Sequence, residues 1–479
     1  MRTSPLILLA VASYAADLPH RLDSVIDNNP LARRSHLGIH VVDLKTGKPL
    51  YARNENRFFL PASNMKLFTS ALALERLGPD YRFVTRLVRE SSGDVVLIGS
   101  GDPSMNGRAY PYRPDDRRSP GLAAMEDLAD QAVAAGLREI DGDVVGDDRL
   151  YPWAPYPPSW TQDDAVHESG APVSALSLGD NVVTISILPA SSPGDPASLA
   201  LEPALEYFAI DNRIITVTRP GVPQIMASRI PVTRQVLLSG TIPLKGAAAR
   251  EQVAVDDPAL YAACALYEAM TRRGVLIKGR PATRHRAAAD AYEAPTGETL
   301  ATRTSPPLTQ ILQVLDKVSE NLHAELMLRA AGGPEALNSF LARIGATPDD
   351  SRIDDGSGLS RNDQVTPELV TRLLTHMYQS KDRTIWISLL PVGGEDGTLS
   401  KRLAPNAGGL DSHLIHAKTG TLARAVALSG YAESKSPENK SPQNKSDRWL
   451  AFSILINNFA ASPSNVQAWI DKIALTLVE

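Results

Sequence analysis

The chain contains one cysteine, Cys264, in 479 residues, so it can form no internal disulfide and no zinc site built from clustered thiols. Aromatics are scarce at 5%, which leaves the cores to Leu, Ile, Val and Ala. Basic residues are not in excess. Lys+Arg 49 against Asp+Glu 54 gives a net charge of −5, so no global positive field draws the chain to nucleic acid or anionic lipid. No stretch reaches the roughly 18 apolar residues of a membrane span. Neither a Walker-type phosphate loop nor a Gly-x-Ser-x-Gly elbow is present. What the chain has in quantity is Gly 32 and Pro 36, the composition of a loop-rich fold. Apolar residues at 43% and charged ones at 22% are ordinary for globular proteins. The length predicts two to four domains at about 100–200 residues each.

Two apparent sites dissolve on inspection. Cys264 sits in the apolar helical stretch Tyr261–Tyr267 and reads as a small buried hydrophobe. His36 and His40 have the spacing of a helical zinc pair. Their segment, Leu37-Gly-Ile-His-Val-Val-Asp43, is instead strand-like, which separates them by about 13 Å at ~3.3 Å per residue. They cannot chelate one ion, and no metal or organic cofactor is expected.

The first residues read as an address. Arg2 precedes the apolar run Pro5–Ala12, and Ser13-Tyr-Ala-Ala16 supplies small residues for cleavage after Ala15 or Ala16. Residues 1–16 are therefore expected to be a secretory signal that delivers a soluble periplasmic protein. Beyond it, strands are expected at His36–Asp43 and Leu50–Ala52, and a buried helix at Ser63–Leu77 stopped by Gly78-Pro79. The block 86–296 looks like one or two inserted β-rich domains. It has a helix predicted over Leu122–Ile140, a proline-rich loop over Leu150–Trp160 and a helix over Pro258–Arg273. Helices return from Leu308 to Tyr378, and the end reads as three strands and a helix. The polar repeat Lys435–Ser446 reads as a solvated hairpin loop.

Three short motifs carry chemistry. In Pro61-Ala-Ser-Asn-Met-Lys66, Ser63 opens the buried helix and Lys66 lies one turn on, where burial and the helix dipole both favour a neutral amine able to take a proton from a hydroxyl. The plain alternative makes Ser63 a helix cap and lets Lys66 reach solvent. In Lys418-Thr-Gly-Thr421, a cation, two hydroxyls and a close-approach glycine suit a carboxylate. Its copy at Lys45-Thr-Gly47 reads as a turn between strands. In Ser319-Glu-Asn321, the outer residues diverge by about 200° on a helix, so both reach one site only if the helix breaks there. Otherwise Ser319 merely caps the next helix. Ser104-Met-Asn106 and Ser360-Arg-Asn362 are decoys for this motif.

In the order Ser-x-x-Lys, Ser-x-Asn, Lys-Thr-Gly, the chain resembles the penicillin-binding protein and serine β-lactamase superfamily. Ser100–Ser104, Gly142–Asp148, Gly170–Ser177, Asp355-Gly-Ser-Gly-Leu-Ser360 and Leu390–Leu399 narrow the resemblance to the low-molecular-mass D-alanyl-D-alanine carboxypeptidase/endopeptidase family, over nearly the whole chain. The resemblance implies an α/β transpeptidase-like catalytic domain, an antiparallel sheet flanked by helices, from 17–85 and 297–479, with 86–296 as the accessory insertion. It implies Ser63, Lys66, Ser319, Asn321 and Lys418 as catalytic residues, and backbone N–H groups of Ser63 and Thr421 as the oxyanion hole. Thr419, Gly420 and Thr421 would bind substrate, and Trp160 and Asp163 would border the pocket for an amine-bearing side chain. The implied partners are peptidoglycan stem peptides, their cross-links and β-lactam antibiotics; a homodimer stays open. A β-lactamase and a non-catalytic peptidoglycan-binding protein are the alternatives. Departures are modest: Glu320 fills the middle of Ser-x-Asn, and His416 stands two residues before Lys418.

Overall fold

The computed structural model describes residues 18–115, 121–230, 233–403, 412–434 and 448–478. The expected signal segment 1–16 and the repeat Lys435–Ser446 lie outside the described residues. The chain folds as two compact units, one from residues 1–79 and 308–479 and the other from 80–307.

The first unit is organised by a five-stranded antiparallel sheet. Its order is Ile415–Leu422, Ala425–Ser434, Arg448–Asn457, His36–Asp43, Pro49–Arg53. The central strands are apolar on both faces, as a sheet covered on both sides must be. On one side, Leu18, Leu22 and Ile26 of the helix 18–27 share a core with Val466, Trp469, Ile470 and Ile473 of the helix Pro463–Leu475. On the other, the helix Pro367–Gln379 packs against the strands, tied by Tyr431 Oη donating to the Leu374 carbonyl at 2.6 Å. His40 is buried there at 2.6 Å from Thr371 Oγ1, while His36 stacks on Phe59, so the two histidines belong to a strand and hold no ion in common. Lys45-Thr-Gly47 is indeed a turn between strands, with its N–H groups at Lys45 and Thr46 bonded to Asp43 Oδ1.

The helix Met65–Leu77 is buried nearly all round because Leu67, Phe68, Ala71, Leu72 and Leu74 leave no polar face. Gly78, at φ 86°, ends it with its N–H on the Leu74 carbonyl.

The second unit holds a five-stranded mixed sheet, ordered Pro281–Arg284, Val144–Asp147, Val95–Ile98, Val84–Arg89, Glu298–Thr304. The helices Ala123–Ala134 and Pro258–Arg272 bury Leu128, Ala262 and Leu266 in its core. Cys264 is buried in the second helix, and burial pushes its thiol up to about 11, which makes it inert. Two three-stranded sheets and a two-stranded parallel pair, Leu276–Ile277 with Glu139–Ile140, also belong to the unit. The first helix stops at Ala134 rather than running to Ile140, because Gly136 adopts φ 97° and Glu139–Ile140 turn into a short strand. The chain enters this unit at Asp80 and leaves at Pro307, a few residues outside 86–296. Val84–Arg89 and Glu298–Thr304 pair with each other, and that antiparallel ladder binds both crossings to the inserted sheet.

Candidate active site

Ser63 lies in a single 3-10 turn, Ala62–Asn64, immediately before the helix Met65–Leu77. It is neither the first helical residue nor a cap, since Asn64 holds the N-cap position and no side chain closes it. Local strain shapes this turn. Ala62 has φ 48°, in the left-handed region that alanine rarely visits, and two glycines explain how it is held there. A Cβ on Gly358 would stand 1.8 Å from the Ala62 carbonyl oxygen, and one on Gly420 would stand 2.7 Å from the Pro61 oxygen and 3.1 Å from Ser63 N. The nucleophile turn is therefore pressed between two backbones that only glycine permits to approach. Asn64 closes the arrangement, donating its side-chain N–H to the Lys418 carbonyl at 2.9 Å.

Lys66 is fully buried and does not reach solvent. Its Nζ donates to Ser63 Oγ at 2.9 Å, Asn321 Oδ1 at 2.6 Å and the Ser357 carbonyl at 2.8 Å. Two of these partners, an amide oxygen and a backbone carbonyl, can only accept. A neutral amine at this place would keep its two N–H groups on them and turn its lone pair to the Ser63 hydroxyl. Burial pushes the Lys66 amine down to about 8, against the pull of Asp355, Glu320, Glu325 and Asp316.

The Ser319 motif meets the condition its spacing imposed. The helix Leu308–Val318 ends before it, Ser319 takes φ 65°, and a new helix starts at Asn321. The break lets Ser319 and Asn321 face one site. Glu320, not Ser319, occupies the N-cap position. Lys418 Nζ donates to Ser319 Oγ at 2.8 Å and to the Thr419 carbonyl at 3.0 Å. Lys418 is also fully buried, and burial lowers its pKa well below the ordinary amine value, with Lys66 adding repulsion and Asp316 opposing. Thr419 is buried and donates to Thr398 Oγ1 at 2.7 Å; Thr421 is exposed and accepts from Gln467 Nε2 at 3.1 Å.

One constellation thus gathers Ser63, Lys66, Ser319, Asn321, Lys418, Thr419, Gly420 and Thr421. Trp160 and Asp163 belong to the other unit, 80–307: Trp160 is half-buried and Asp163 is exposed beside the short turn Asp164–Val166. The decoys stay apart in role. Ser360 N–H and Asn362 Nδ2 are bonded to Asp355 and Asp354, and Ser104 N–H to Asp102. Half-buried His416 lies near Lys317 and Asp396, and burial, with Lys317, lowers its pKa.

Several groups of the site carry no signal of their own in the sequence. The Ser357 carbonyl is one. Asp355 holds its loop by accepting N–H bonds from Ser357, Gly358 and Ser360 at 3.1, 2.6 and 2.7 Å. Thr398 and Lys317 are others: Lys317 Nζ donates to the Leu390 carbonyl and Asp396 Oδ2, both at 2.6 Å, clamping the 390–399 loop onto the helix that leads to Ser319. Both loops fall in segments that the family resemblance singled out, though without a role for any residue in them.

The chain is similar to several known proteins. A D-alanyl-D-alanine carboxypeptidase of Actinomadura sp. (strain R39) is 31% identical over 505 residues, covering 99% of this chain and 87% of that protein. Penicillin binding protein 4 (dacB) from Haemophilus influenzae shares the fold at a TM-score of 0.78 and 20% identity, over 97% of this chain and 98% of that one. That protein has also been solved in complex with a β-lactam, with a TM-score of 0.71 to this chain at 19% identity, over the same 97% and 98%. A predatory peptidoglycan endopeptidase from Bdellovibrio bacteriovorus has the fold at a TM-score of 0.50 and 17% identity, over 93% of each chain. The model of the D-Ala-D-Ala carboxypeptidase 3 (S13) family matches residues 18–477, and this chain belongs to that family.

Proposed function

We propose that this serine-type carboxypeptidase cleaves the terminal D-Ala-D-Ala bond of peptidoglycan stem peptides through an acyl-enzyme on Ser63. The observation that carries the reading is the position of Lys66: buried, 2.9 Å from Ser63 Oγ, with its remaining N–H groups on acceptor-only atoms. Ser63 Oγ attacks the carbonyl carbon of the penultimate D-alanine while its proton passes to Lys66. The oxyanion meets the backbone N–H groups of Ser63 and Thr421, and losing one such donor costs roughly 10²–10³ in rate. The tetrahedral intermediate collapses, and the leaving D-alanine nitrogen takes the proton that Lys66 received from Ser63, passed on through the Ser319 hydroxyl, while the Asn321 side chain holds the substrate's amide. Water then attacks the ester and restores the Ser63 hydroxyl.

Lys418 and the hydroxyls of Thr419 and Thr421 grip the substrate's terminal carboxylate, and Gly420 allows its backbone to lie close. A cross-link presents the same D-alanyl carbonyl with a longer amine leaving group, so endopeptidase action uses the same residues. By the family resemblance Trp160 and Asp163 recognise an amine-bearing stem side chain, and the exposure of Asp163 leaves its carboxylate available to an ammonium. A β-lactam places its strained amide where the scissile bond lies and acylates Ser63. Cell-wall substrates suit an exported enzyme, with residues 1–16 as its signal and a catalytic domain formed from the first unit. Among the described residues no helix is long and apolar enough to cross a membrane. The test is intact-mass measurement after incubation with benzylpenicillin, followed by peptide mapping. An adduct on Ser63 supports the reading, and an adduct elsewhere, or none, overturns it.

A further inference from the structure

The reaction above leaves the Thr398 hydroxyl without a task. Thr398 lies in the short turn Gly397–Leu399, half-buried, beside the strand Ile415–Leu422. Its Oγ1 accepts the Thr419 hydroxyl at 2.7 Å. A hydroxyl has one proton to give, so the Thr419 proton that lies on Thr398 cannot lie on a substrate carboxylate at the same time. Thr398 keeps its own proton, for which the described residues supply no acceptor. The donor that the pair can still offer is therefore Thr398, and accepting from Thr419 polarises its O–H and strengthens it.

The fold fixes where this hydroxyl stands. Ala417 N–H donates to the Pro391 carbonyl and Gly393 N–H to the Ile415 carbonyl, both at 2.9 Å. These bonds lay the start of the 390–399 loop along the strand that carries Lys418 and Thr419. Asp396 takes Lys317 Nζ at 2.6 Å on one oxygen and the Val392 N–H at 2.9 Å on the other, which closes the loop on itself. Gly397, at φ 54°, runs so near the helix Leu308–Val318 that a Cβ would stand 2.5 Å from the Lys317 carbonyl oxygen. Thr398 follows directly. It is held between the helix that leads to Ser319 and the strand of Lys418, whose Nζ joins the two through Ser319 Oγ at 2.8 Å. A donor fixed in this way pays little ordering cost when an anion arrives.

We propose that Thr398 is a further substrate-binding residue, whose hydroxyl, set by Thr419, donates to the terminal carboxylate of the stem peptide. The inference rests on the carboxylate grip given to Lys418, Thr419 and Thr421 above, and it makes Thr419 act in that grip through Thr398.

Thr398→Val keeps the shape and removes the hydroxyl, and Thr398→Ser restores it. The measurements are kcat and KM for a stem peptide ending in D-Ala-D-Ala, and second-order acylation by benzylpenicillin and by its methyl ester, in which the carboxylate is capped. With Thr398→Val, acylation by benzylpenicillin should fall about ten- to a hundredfold, as for a lost hydrogen bond to a charged group, and kcat/KM for the peptide should fall with it. Acylation by the ester should change less than about threefold, since its neutral oxygen gains less from the donor. Thr398→Ser should recover most of the loss on both carboxylate ligands.

An equal loss on acid and ester overturns the proposal, because a hydroxyl that only braces the strand affects both. Unchanged or faster acylation by benzylpenicillin also overturns it: the Thr419 hydroxyl then turns to the carboxylate by itself. Thr398→Ala repeats the test if valine is not accommodated, and failure of both variants to fold counts against the proposal as well. The unsubstituted enzyme separates the two claims. Equal rates with acid and ester would remove the carboxylate grip itself, while a preference for the acid that Thr398→Val leaves intact removes only the role of Thr398.

Discussion

Lys66 Nζ donates to Asn321 Oδ1 across 2.6 Å, joining two residues 255 positions apart in the chain. Because Lys66 also touches Ser63, this bond couples the nucleophile turn to the broken helix at Ser319, so the two motifs act as one site.

Ser63→Ala should abolish covalent labelling by benzylpenicillin and release of D-alanine, while costing no more than about 1.5 kcal/mol of stability. The hydroxyl closes no helix cap, so what is lost with it is one hydrogen bond from Lys66. Mass spectrometry and a melting curve on one preparation check both halves. A surviving adduct would mean that another residue is the nucleophile.

Acylation should depend on pH through Lys66. The base is the neutral amine, whose fraction grows as pH rises through a value held near 8 by burial. The rate should therefore climb between about pH 7 and 9. Lys66→Ala should lower acylation by 10²-fold or more, as removal of a general base does. Lys45→Ala, in the surface turn, should leave the profile unchanged. Equal losses in the two variants would break the assignment.

Asp163→Asn should reduce kcat/KM about tenfold for stem peptides that carry a free amine on the side chain. The exposure of Asp163 keeps the expectation at this end of the range for charge-assisted pairs. Acylation by benzylpenicillin, which lacks the amine, should not change. Equal effects on both ligands would return Trp160 and Asp163 to the status of a packing loop.

In the accessory unit, His285 bridges two carboxylates, with Nδ1 2.9 Å from Asp148 and Nε2 3.2 Å from Asp257. Burial by itself lowers its pKa, but the bonds to Asp148 and Asp257 outweigh burial and carry it up to about 9. The folded value is above the unfolded one, so the stabilisation is complete below about pH 6.5 and fades as pH rises through about 9. His285→Gln should cost about 2 kcal/mol at pH 6 and much less at pH 10, by chemical denaturation. A loss independent of pH would show that the histidine acts by packing on Trp153 rather than by charge.

The sequence on its own determined what is local or carried by spacing. Ser63 and Lys66 lie one turn apart, and a buried apolar helix follows them, so their meeting needs no distant partner. The strand-like text around His36 and His40 excludes a shared metal ion, and residue geometry alone requires the helix to break at Ser319, where φ is 65°. Tertiary structure decided the rest, because those relations join segments that are remote in the chain. The limits of the inserted unit depend on Val84–Arg89 finding Glu298–Thr304, and nothing within either strand names its partner. The helix from Ala123 looked longer than it is because apolar periodicity continues past Gly136, where a left-handed backbone ends it. The Ser357 carbonyl and the Thr398 hydroxyl entered the site only when loops remote in the chain converged on it. A carbonyl is common to every residue and a threonine hydroxyl reads the same on the surface as in a site, so their contacts with Lys66 and Thr419 arise from burial and distance, which only the folded chain supplies.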